Sequence, residues 1–303
     1  MAEEIINPSS AIGALPEVLR PKRGTLENLI HFSKEKPLGA AGAIMFILLI
    51  IIAFAAPLIA THDSTATDYR SVLAAPSAER LLGGDHLGRD VFSRLVYGTR
   101  VSLLVGILSV AFGVTIGFSI GLISAYFGGK TDLLIQRLMD AVMAFPALIL
   151  ALAIMAVLGA SIINVIIALS VVFVPGAART IRAQALSIKE SEYVLAARAV
   201  GVGDWRIMFR HMAPNLAATF IVLATVSLGW AIVVEASLSF LGVGVPPSVA
   251  TWGGMLTGAT KYVESAPWVA IFPGLAIAGV VFAVNLLGDA LRDVLDPKMR
   301  GTN

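Results

Sequence analysis

Six apolar stretches, each close to the length of a helix that crosses a membrane, leave this chain few folds to adopt. They run approximately over 38–60, 101–127, 138–158, 161–178, 216–241 and 268–288. A hydrocarbon core about 30 Å thick needs roughly 20 such residues in a helix. With 57% apolar and only 14% charged residues, the composition excludes a soluble globule. The sequence predicts an all-α membrane protein with about six transmembrane helices, and the short turns after 127 and 158 leave five or seven open.

Lysine and arginine residues indicate which ends of the predicted helices are cytoplasmic. With a cytoplasmic N-terminus, sixteen of the 22 basic residues fall in inside segments and six in outside segments, so both termini are predicted to be cytoplasmic. The first stretch is longer than the core of a secretory signal and is expected to remain as an anchor. The predicted division is a cytoplasmic tail (1–37), a first helix (38–60), an extracytoplasmic segment (61–100), a transmembrane core (101–290) with a large cytoplasmic loop (179–215), and a second cytoplasmic tail (291–303).

Small residues and prolines within the stretches predict how the helices pack and bend. The second stretch has a small residue at every fourth position, namely Gly113, Gly117, Gly121 and Ala125. Such a face lets a neighbouring helix approach to backbone contact. Three prolines lie inside predicted helices, at Pro146, Pro175 and Pro273. Each removes a backbone donor and bends its helix, which suits a bundle that lines a cavity better than a simple anchor.

Two acidic residues lie in or beside the apolar stretches. Glu235 is the deeper of the two, and an ionised side chain at such a depth costs at least about 2–3 kcal/mol. It should therefore face the interior of the bundle or water. Asp140 begins the third stretch and is expected near the cytoplasmic interface. A structural role and a place on a translocation path both remain open for these residues.

The sequence lacks the residue patterns that membrane enzymes need. Its four histidines form no H-E-x-x-H pair, no acidic cluster suits a metal, and cysteine is absent. Gly129-Lys130-Thr131 resembles the end of a phosphate-binding loop, but Ser124 occupies a position where that loop needs glycine. We expect no catalytic site, metal or cofactor in this chain. The net charge of +2 gives no reason to expect nucleic-acid binding.

The large loop at 179–215 is predicted to form two short helices. Ser187 and Glu190 have the spacing of a capping box, Gly201 is a plausible stop, and Asp204 is placed to cap the second helix. In that second helix one stripe is apolar and another is basic; the two consist of Trp205, Met208, Phe209 and Met212, and of Arg206 and Arg210. Such a segment either lies on the anionic membrane surface or docks in a groove of a soluble partner.

This loop resembles the cytoplasmic signature of permease subunits of ATP-binding-cassette (ABC) importers. The signature is E-A-A, three residues, G, nine residues, I-x-L-P. The matching positions here are Leu195-Ala196-Ala197, Gly201 and His211-Met212-Ala213-Pro214. The spacing, both alanines, the glycine and the proline agree, whereas leucine replaces the glutamate.

Further stretches are similar to the shorter, C-type subunit of the dipeptide and oligopeptide permease family. Residues 83–94 read GGDHLGRDVFSR, 238–244 read LSFLGVG with Trp252-Gly253 following, and 285–297 read NLLGDALRDVLDP. These resemble the family's G-T-D-x-x-G-R-D-V-x-S-R, L-S-F-L-G-x-G, W-G and N-L-L-G-D-x-L-R-D-x-L-D-P patterns. They occur in order from about 80 to 300. The resemblance implies a six-helix, type I importer permease in a bacterial inner membrane.

The resemblance also implies partners and a coupling site. The partners would be a homologous second permease, two cytoplasmic ATPase subunits that bind ATP and Mg, and an extracytoplasmic substrate-binding protein. The residues implied to couple the ATPases are Leu195, Ala196, Ala197, Arg198, Ala199, Gly201, Asp204, Arg206, Arg210 and Pro214. Small residues there would let a helix sit deep in an ATPase groove. Aspartate at Ala197 or Ala199 is accordingly expected to uncouple transport while the subunit stays inserted.

The implied mechanism is alternating access, in which ATP-driven closure of the ATPases pulls the loop and changes the angles of the helices. Within the same fold, nickel, glutathione or antimicrobial peptides are alternative cargoes. A stand-alone carrier or channel would need internal repeats or several intramembrane charges, and the sequence shows neither.

Overall fold

The computed structural model describes residues 33–295, and that part of the chain is helical without strands. The helices, in chain order, are α1 (Pro37–Ile59), α2 (Val91–Phe127), α3 (Gly129–Met143), α4 (Ala147–Leu158), α5 (Ile162–Lys189), α6 (Glu192–Ala199), α7 (Ala217–Phe240), α8 (Trp252–Ala259) and α9 (Trp268–Leu295). Most of the first predicted tail (1–32) and part of the second (296–303) lie outside the described residues.

Among the described residues, five helical segments are long and apolar enough to cross a membrane; they contain α1, α2, α5, α7 and α9 and correspond to five of the six predicted stretches. The fourth segment runs over Asp204–Phe240 and so includes the helical turns before α7. The third stretch, 138–158, covers the end of α3 and all of α4, and this bent pair makes a sixth span if the two helices cross the membrane as one. α3 and α4 are bent by 87° at the break that contains Pro146, which lacks the amide proton needed to continue a helix. α4 alone has 12 residues, and a helix of that length extends only about 18 Å.

The small-residue face of α2 packs closely against α5, which confirms the packing prediction. A Cβ atom on Gly113 would lie 2.7 Å from the Ser170 carbonyl oxygen, and one on Gly117 would lie 2.6 Å from that of Val174. Both distances are below van der Waals contact, so any larger side chain would force the helices apart. Because residue numbers rise together along both helices, α2 and α5 run parallel.

Helix α3 is bound to α5 by two ion pairs. The Asp132 carboxylate accepts two hydrogen bonds of 2.5 Å from the Arg182 guanidinium, and Asp140 bonds to Arg179. Because α3 and α4 are bent by 87° relative to each other, α3, fastened in this way to α5, does not continue the direction of α4.

The connection before α2, the 60–90 segment, is fastened by buried charges. The Asp85 carboxylate accepts a 2.7 Å hydrogen bond from the Arg89 side chain and lies 3.7 Å from Arg94 Nε. Arg94 is only 2% exposed and donates a 3.0 Å hydrogen bond to the Ser64 carbonyl. Asp90 caps α2 by accepting the Ser93 amide at 2.8 Å. This charged first part of α2 is why the helix begins at Val91 instead of at 101, where the apolar stretch starts.

Helix α8 packs at the same end of the bundle. Its Trp252 is 1% exposed and donates a 3.1 Å hydrogen bond to the Leu95 carbonyl of α2. Thr257 donates a 3.0 Å hydrogen bond to the Ser239 carbonyl near the end of α7. These contacts hold α2, α7 and α8 together.

Candidate functional site

The chain between α5 and α7, residues 190–216, is called here the 190–216 loop. It contains α6, a helical turn at Asp204–Arg206, a π-helical stretch at Ile207–Met212 and a 3-10 turn at Ala213–Leu216. Gly201 follows α6 with a φ of +78°, a conformation that glycine adopts without strain, in agreement with the predicted stop.

Two predicted helix caps in this region are wrong. α5 continues through Ser187 to Lys189, and Ser191 occupies the N-cap position of α6. Gly203, and not Asp204, precedes the second helical turn. The side chain of Asp204 instead contacts α2, as described below.

One face of the loop is buried against the ends of α2 and α5. Val194, Ile207, Met208 and Met212 are fully buried. The residues against which they pack lie in the last turns of the two helices, at Leu122, Tyr126, Ile181 and Ala185. This apolar contact keeps the loop on the ends of α2 and α5 and leaves its opposite face exposed.

The opposite face of the loop exposes large apolar side chains. Val200 is 79% exposed, Trp205 60% and Phe209 47%, and the rings of the two aromatic residues stack with their centroids 5.9 Å apart. Arg206 and Arg210 are also exposed on this loop. These side chains precede α7, and a cluster of exposed apolar side chains beside polar groups is typical of a protein–protein or a membrane contact.

The predicted apolar stripe of the second helix is divided between these two faces. Met208 and Met212 are buried, whereas Trp205 and Phe209 are exposed. The prediction assumed the α-helical period, but Ile207–Met212 forms a π-helix, which has more residues per turn. The aromatic residues are therefore turned away from the methionines and are free to contact a partner.

Most of the residues predicted to couple the ATPases lie on exposed surface, and one does not. Leu195, Ala196, Arg198, Ala199, Gly201, Asp204, Arg206, Arg210 and Pro214 are exposed. Ala197 is only 8% exposed and belongs to the buried face. Ala197 cannot sit in a partner's groove, so aspartate there would disturb the loop itself; only Ala199 remains a test of docking.

A polar contact that the sequence did not predict ties the loop to α2. The Tyr126 hydroxyl donates a 2.6 Å hydrogen bond to Asp204 Oδ1. The Arg198 guanidinium carbon lies 5.5 Å from the centre of the same ring. Beside this contact, Lys189 Nζ at the end of α5 donates a 3.3 Å hydrogen bond to the Ala125 carbonyl of α2. Tyr126 and Asp204 are 78 positions apart, so no local pattern could have paired them.

The two acids predicted in or beside the apolar stretches differ in their surroundings. Glu235 is fully buried, and its carboxylate oxygens accept hydrogen bonds from Ser102 of α2 at 3.1 Å and from Ser239 at 2.8 Å. These contacts support a structural role in the bundle interior. Asp140 is not in the interior: its side chain is 47% exposed and pairs with Arg179, which is 49% exposed.

An apolar pocket of about 390 Å³ lies between α1, α2, α7 and α9. Its lining includes Phe46, Ile107, Phe220 and Leu287 and carries no charged side chain. It therefore offers no partner for the charged ends of a peptide. Within residues 33–295 no group of three or more histidine, cysteine, aspartate or glutamate residues is arranged to hold a metal.

Comparisons with known families match two segments that together make up most of the chain. Residues 113–301 match the family of binding-protein-dependent transport system inner membrane components, and residues 33–76 match the N-terminal TM domain of oligopeptide transport permease C.

Several relatives with assigned functions are similar along most of their length. A dipeptide transport system permease protein of Alkalihalophilus pseudofirmus is 43% identical over 88% of each chain. A glutathione transport system permease protein of Pectobacterium atrosepticum is 42% identical over 89% of this chain and 90% of that protein. A di/tripeptide transport system permease protein of Pseudomonas aeruginosa is 44% identical over 86% of this chain and 89% of its own.

A solved structure shares the fold. A chain of the MetNI methionine ABC transporter, in an inward-facing conformation, superposes with a TM-score of 0.55 at 19% identity, and the match covers 67% of this chain and 96% of that one. At this identity the similarity concerns the fold alone.

Proposed function

The chain belongs to the family of binding-protein-dependent transport system inner membrane components, and on that premise we propose that it is the C-type permease subunit of an ATP-driven importer of dipeptides or oligopeptides. It is a multi-pass membrane protein with the fold of an ABC transporter permease. We propose that it resides in a bacterial inner membrane with both termini in the cytoplasm and forms half of a translocation pathway with a second, homologous permease.

The cargo assignment rests on the relatives. Two of the three named above are dipeptide or di/tripeptide permeases, which supports peptides as the cargo. Glutathione is the second candidate because a permease of comparable similarity carries that name, and glutathione is itself a small peptide. An extracytoplasmic binding protein would deliver the cargo and select it.

The observation that carries the mechanism is the exposed face of the 190–216 loop. Its core packs on the ends of α2 and α5, and Trp205 and Phe209 project from the other side with Arg206 and Arg210. Aromatic and arginine side chains contribute most of the energy in many protein interfaces. We propose that this face docks in a groove of a cytoplasmic ATPase subunit whose surface combines apolar and acidic groups.

In this proposal the ATPase subunits bind ATP, and this chain transmits their movement to the pathway. ATP and Mg would bind to the two ATPase subunits, and this chain would carry no ATPase site of its own. When the ATPases close, the loop would transmit the movement to α2 and α5 and change which side of the membrane the pathway faces. The cargo would then move by alternating access, without a chemical step in this chain.

The first experiment is to purify the tagged chain in mild detergent from its native membrane and identify its partners by mass spectrometry. A second permease and ATPase subunits are the expected partners. Replacing Trp205 and Phe209 together by alanine should reduce ATPase recovery on the order of tenfold, because interface aromatic residues dominate binding. Tyr69→Ala is the matched control, since Tyr69 is 88% exposed in the 60–90 segment, at the other end of the bundle.

The alternatives predict different results. A chain that is recovered alone and transports without ATP would be a stand-alone carrier or channel, and the proposal would be wrong. Uptake of a labelled dipeptide and of labelled glutathione in cells with and without the chain separates the two peptide cargoes. If neither uptake depends on the chain, the peptide assignment is wrong.

A further inference from the structure

The contact between Tyr126 and Asp204 has an unusual position in the molecule. Tyr126 lies one residue before the end of α2 and is 6% exposed, while Asp204 begins the second helical turn of the loop. The hydrogen bond between them, at 2.6 Å, joins a phenol to a carboxylate. Hydrogen bonds to an ionised group are shorter and stronger than those between neutral groups.

Most other contacts between the loop and the helix ends are apolar. The side chains of Val194, Ile207 and Met208 fill the space against α2 and α5. Apolar burial is non-directional, so it keeps the loop on the bundle but does not fix its rotation or sliding. The Tyr126 hydrogen bond is directional. Arg198, placed over the same ring, ties α6 to the same point.

Helix α2 connects this point to the opposite end of the bundle. It has 37 residues and contains no proline, and a helix of that length extends about 55 Å. Its first turns are held by the cap at Asp90 and by the buried Arg94. One rigid helix therefore reaches from the charged 60–90 segment to the 190–216 loop.

We propose that Tyr126 is a positioning residue that makes α2 and the 190–216 loop move as one body. Because of this contact, a pull on the loop is transmitted along α2 to the helices that enclose the pathway. Without the hydroxyl, the loop would still dock on its partner but would slide on its apolar face. The inference rests on the proposed function, since it assumes that ATPase subunits move this loop.

The test measures coupling in the intact complex reconstituted in liposomes. Tyr126→Phe removes only the hydroxyl and keeps the ring that packs in the core. Asp204→Ala removes the acceptor, and Asp204→Asn is the matched control because its amide oxygen still accepts the hydrogen bond. For each variant we would measure the ATPase subunits recovered per permease and the labelled peptide transported per ATP hydrolysed.

We expect Tyr126→Phe to keep ATPase recovery near the wild-type level. Both Tyr126→Phe and Asp204→Ala should lower the peptide transported per ATP roughly tenfold, the factor that loss of one hydrogen bond to a charged group corresponds to. Asp204→Asn keeps an acceptor but loses the charge, so its ratio should fall less than that of Asp204→Ala, by about fivefold at most. An unchanged ratio in Tyr126→Phe overturns the proposal. Loss of ATPase recovery in Tyr126→Phe also overturns it, because the residue would then support the shape of the loop. If the wild-type chain recovers no ATPase, the proposed function itself has failed.

Discussion

The 60–90 segment and the 190–216 loop lie at opposite ends of α2, and they are held in opposite ways. The 60–90 segment buries its charges: Asp85 is 4% exposed, Asp90 0% and Arg94 2%. The 190–216 loop buries apolar side chains and exposes its aromatic and basic ones, with Trp205 at 60%.

This difference indicates what each end is built to do. Buried, paired charges tolerate little displacement, because separating them leaves an ionised group without a partner. The 60–90 segment therefore fixes the start of α2. The loop has an apolar core that keeps its shape and an exposed face that is complete only with a partner. Substitutions at the two ends should therefore differ in effect: those at buried positions should lower stability, and those on the exposed face of the loop should lower ATPase recovery.

The largest expected contrast is between two tryptophans. Replacing Trp252, which is buried beside α2, by alanine should lower the free energy of unfolding by about 3–5 kcal/mol. Replacing Trp205, which is exposed on the loop, by alanine should lower it by no more than about 0.5 kcal/mol. Thermal unfolding of the purified variants in the same detergent measures both. Equal losses would show that the loop is as much a part of the core as α8.

Next in size is the effect of Arg94. Its replacement by alanine leaves Asp85 with Arg89 alone and removes the bond to the Ser64 carbonyl. We expect a loss of about 3 kcal/mol, the usual result of breaking a buried ion pair. Arg100→Ala is the control, since Arg100 is exposed on the same helix. If the two variants unfold at the same temperature, buried charge does not hold the 60–90 segment.

A smaller effect separates the two faces of the loop. Ala197→Asp places a charge against the ends of α2 and α5 and should cost about 2 kcal/mol of stability. Ala199→Asp introduces the same side chain on the exposed face, so stability should stay within about 0.5 kcal/mol while ATPase recovery falls. Unfolding temperature and partner recovery, measured on both variants, give the comparison. An Ala199→Asp variant that recovers ATPases normally would place the docking surface elsewhere on the loop.

Much of the fold was predictable because apolar length and small-residue spacing are local properties. Five membrane-crossing helices and the close contact of α2 with α5 follow from them. A bend at Pro146 was predicted, but its size of 87° was not, because a proline in an apolar stretch does not fix the angle between the two parts of the helix. The early start of α2 was missed because Arg94 counted as a loop residue. Arg94 can be buried only because it pairs with Asp85 in three dimensions, which the sequence does not show.

The candidate site was predicted in outline but not in orientation. The signature match placed the loop and its exposed residues, yet it gave no means to tell Ala197 from Ala199. The π-helical turn separated Trp205 from Met208, and a regular helical period cannot anticipate such a turn. Tyr126 was missed because it lies outside the signature and reaches the loop only through the packing of α2.

The smallest expected effect concerns pH and belongs to the 60–90 segment. Burial lowers the pKa of His86, whose ring stacks on Tyr262; Asp85 acts against this shift, while Arg89 and Arg94 reinforce it. Below its ordinary pKa of about 6.5 the unfolded chain binds a proton that the folded chain resists, so stability is complete above that pH and declines as pH falls below it. Between pH 7.5 and 5.5 we expect the unfolding temperature of wild type to fall by no more than about 2 °C beyond that of His86→Gln, as measured in matched buffers. If both chains respond equally, the pKa of His86 is the same in the folded and the unfolded chain, so burial does not lower it, and the charged pairs alone account for how this end of α2 is held.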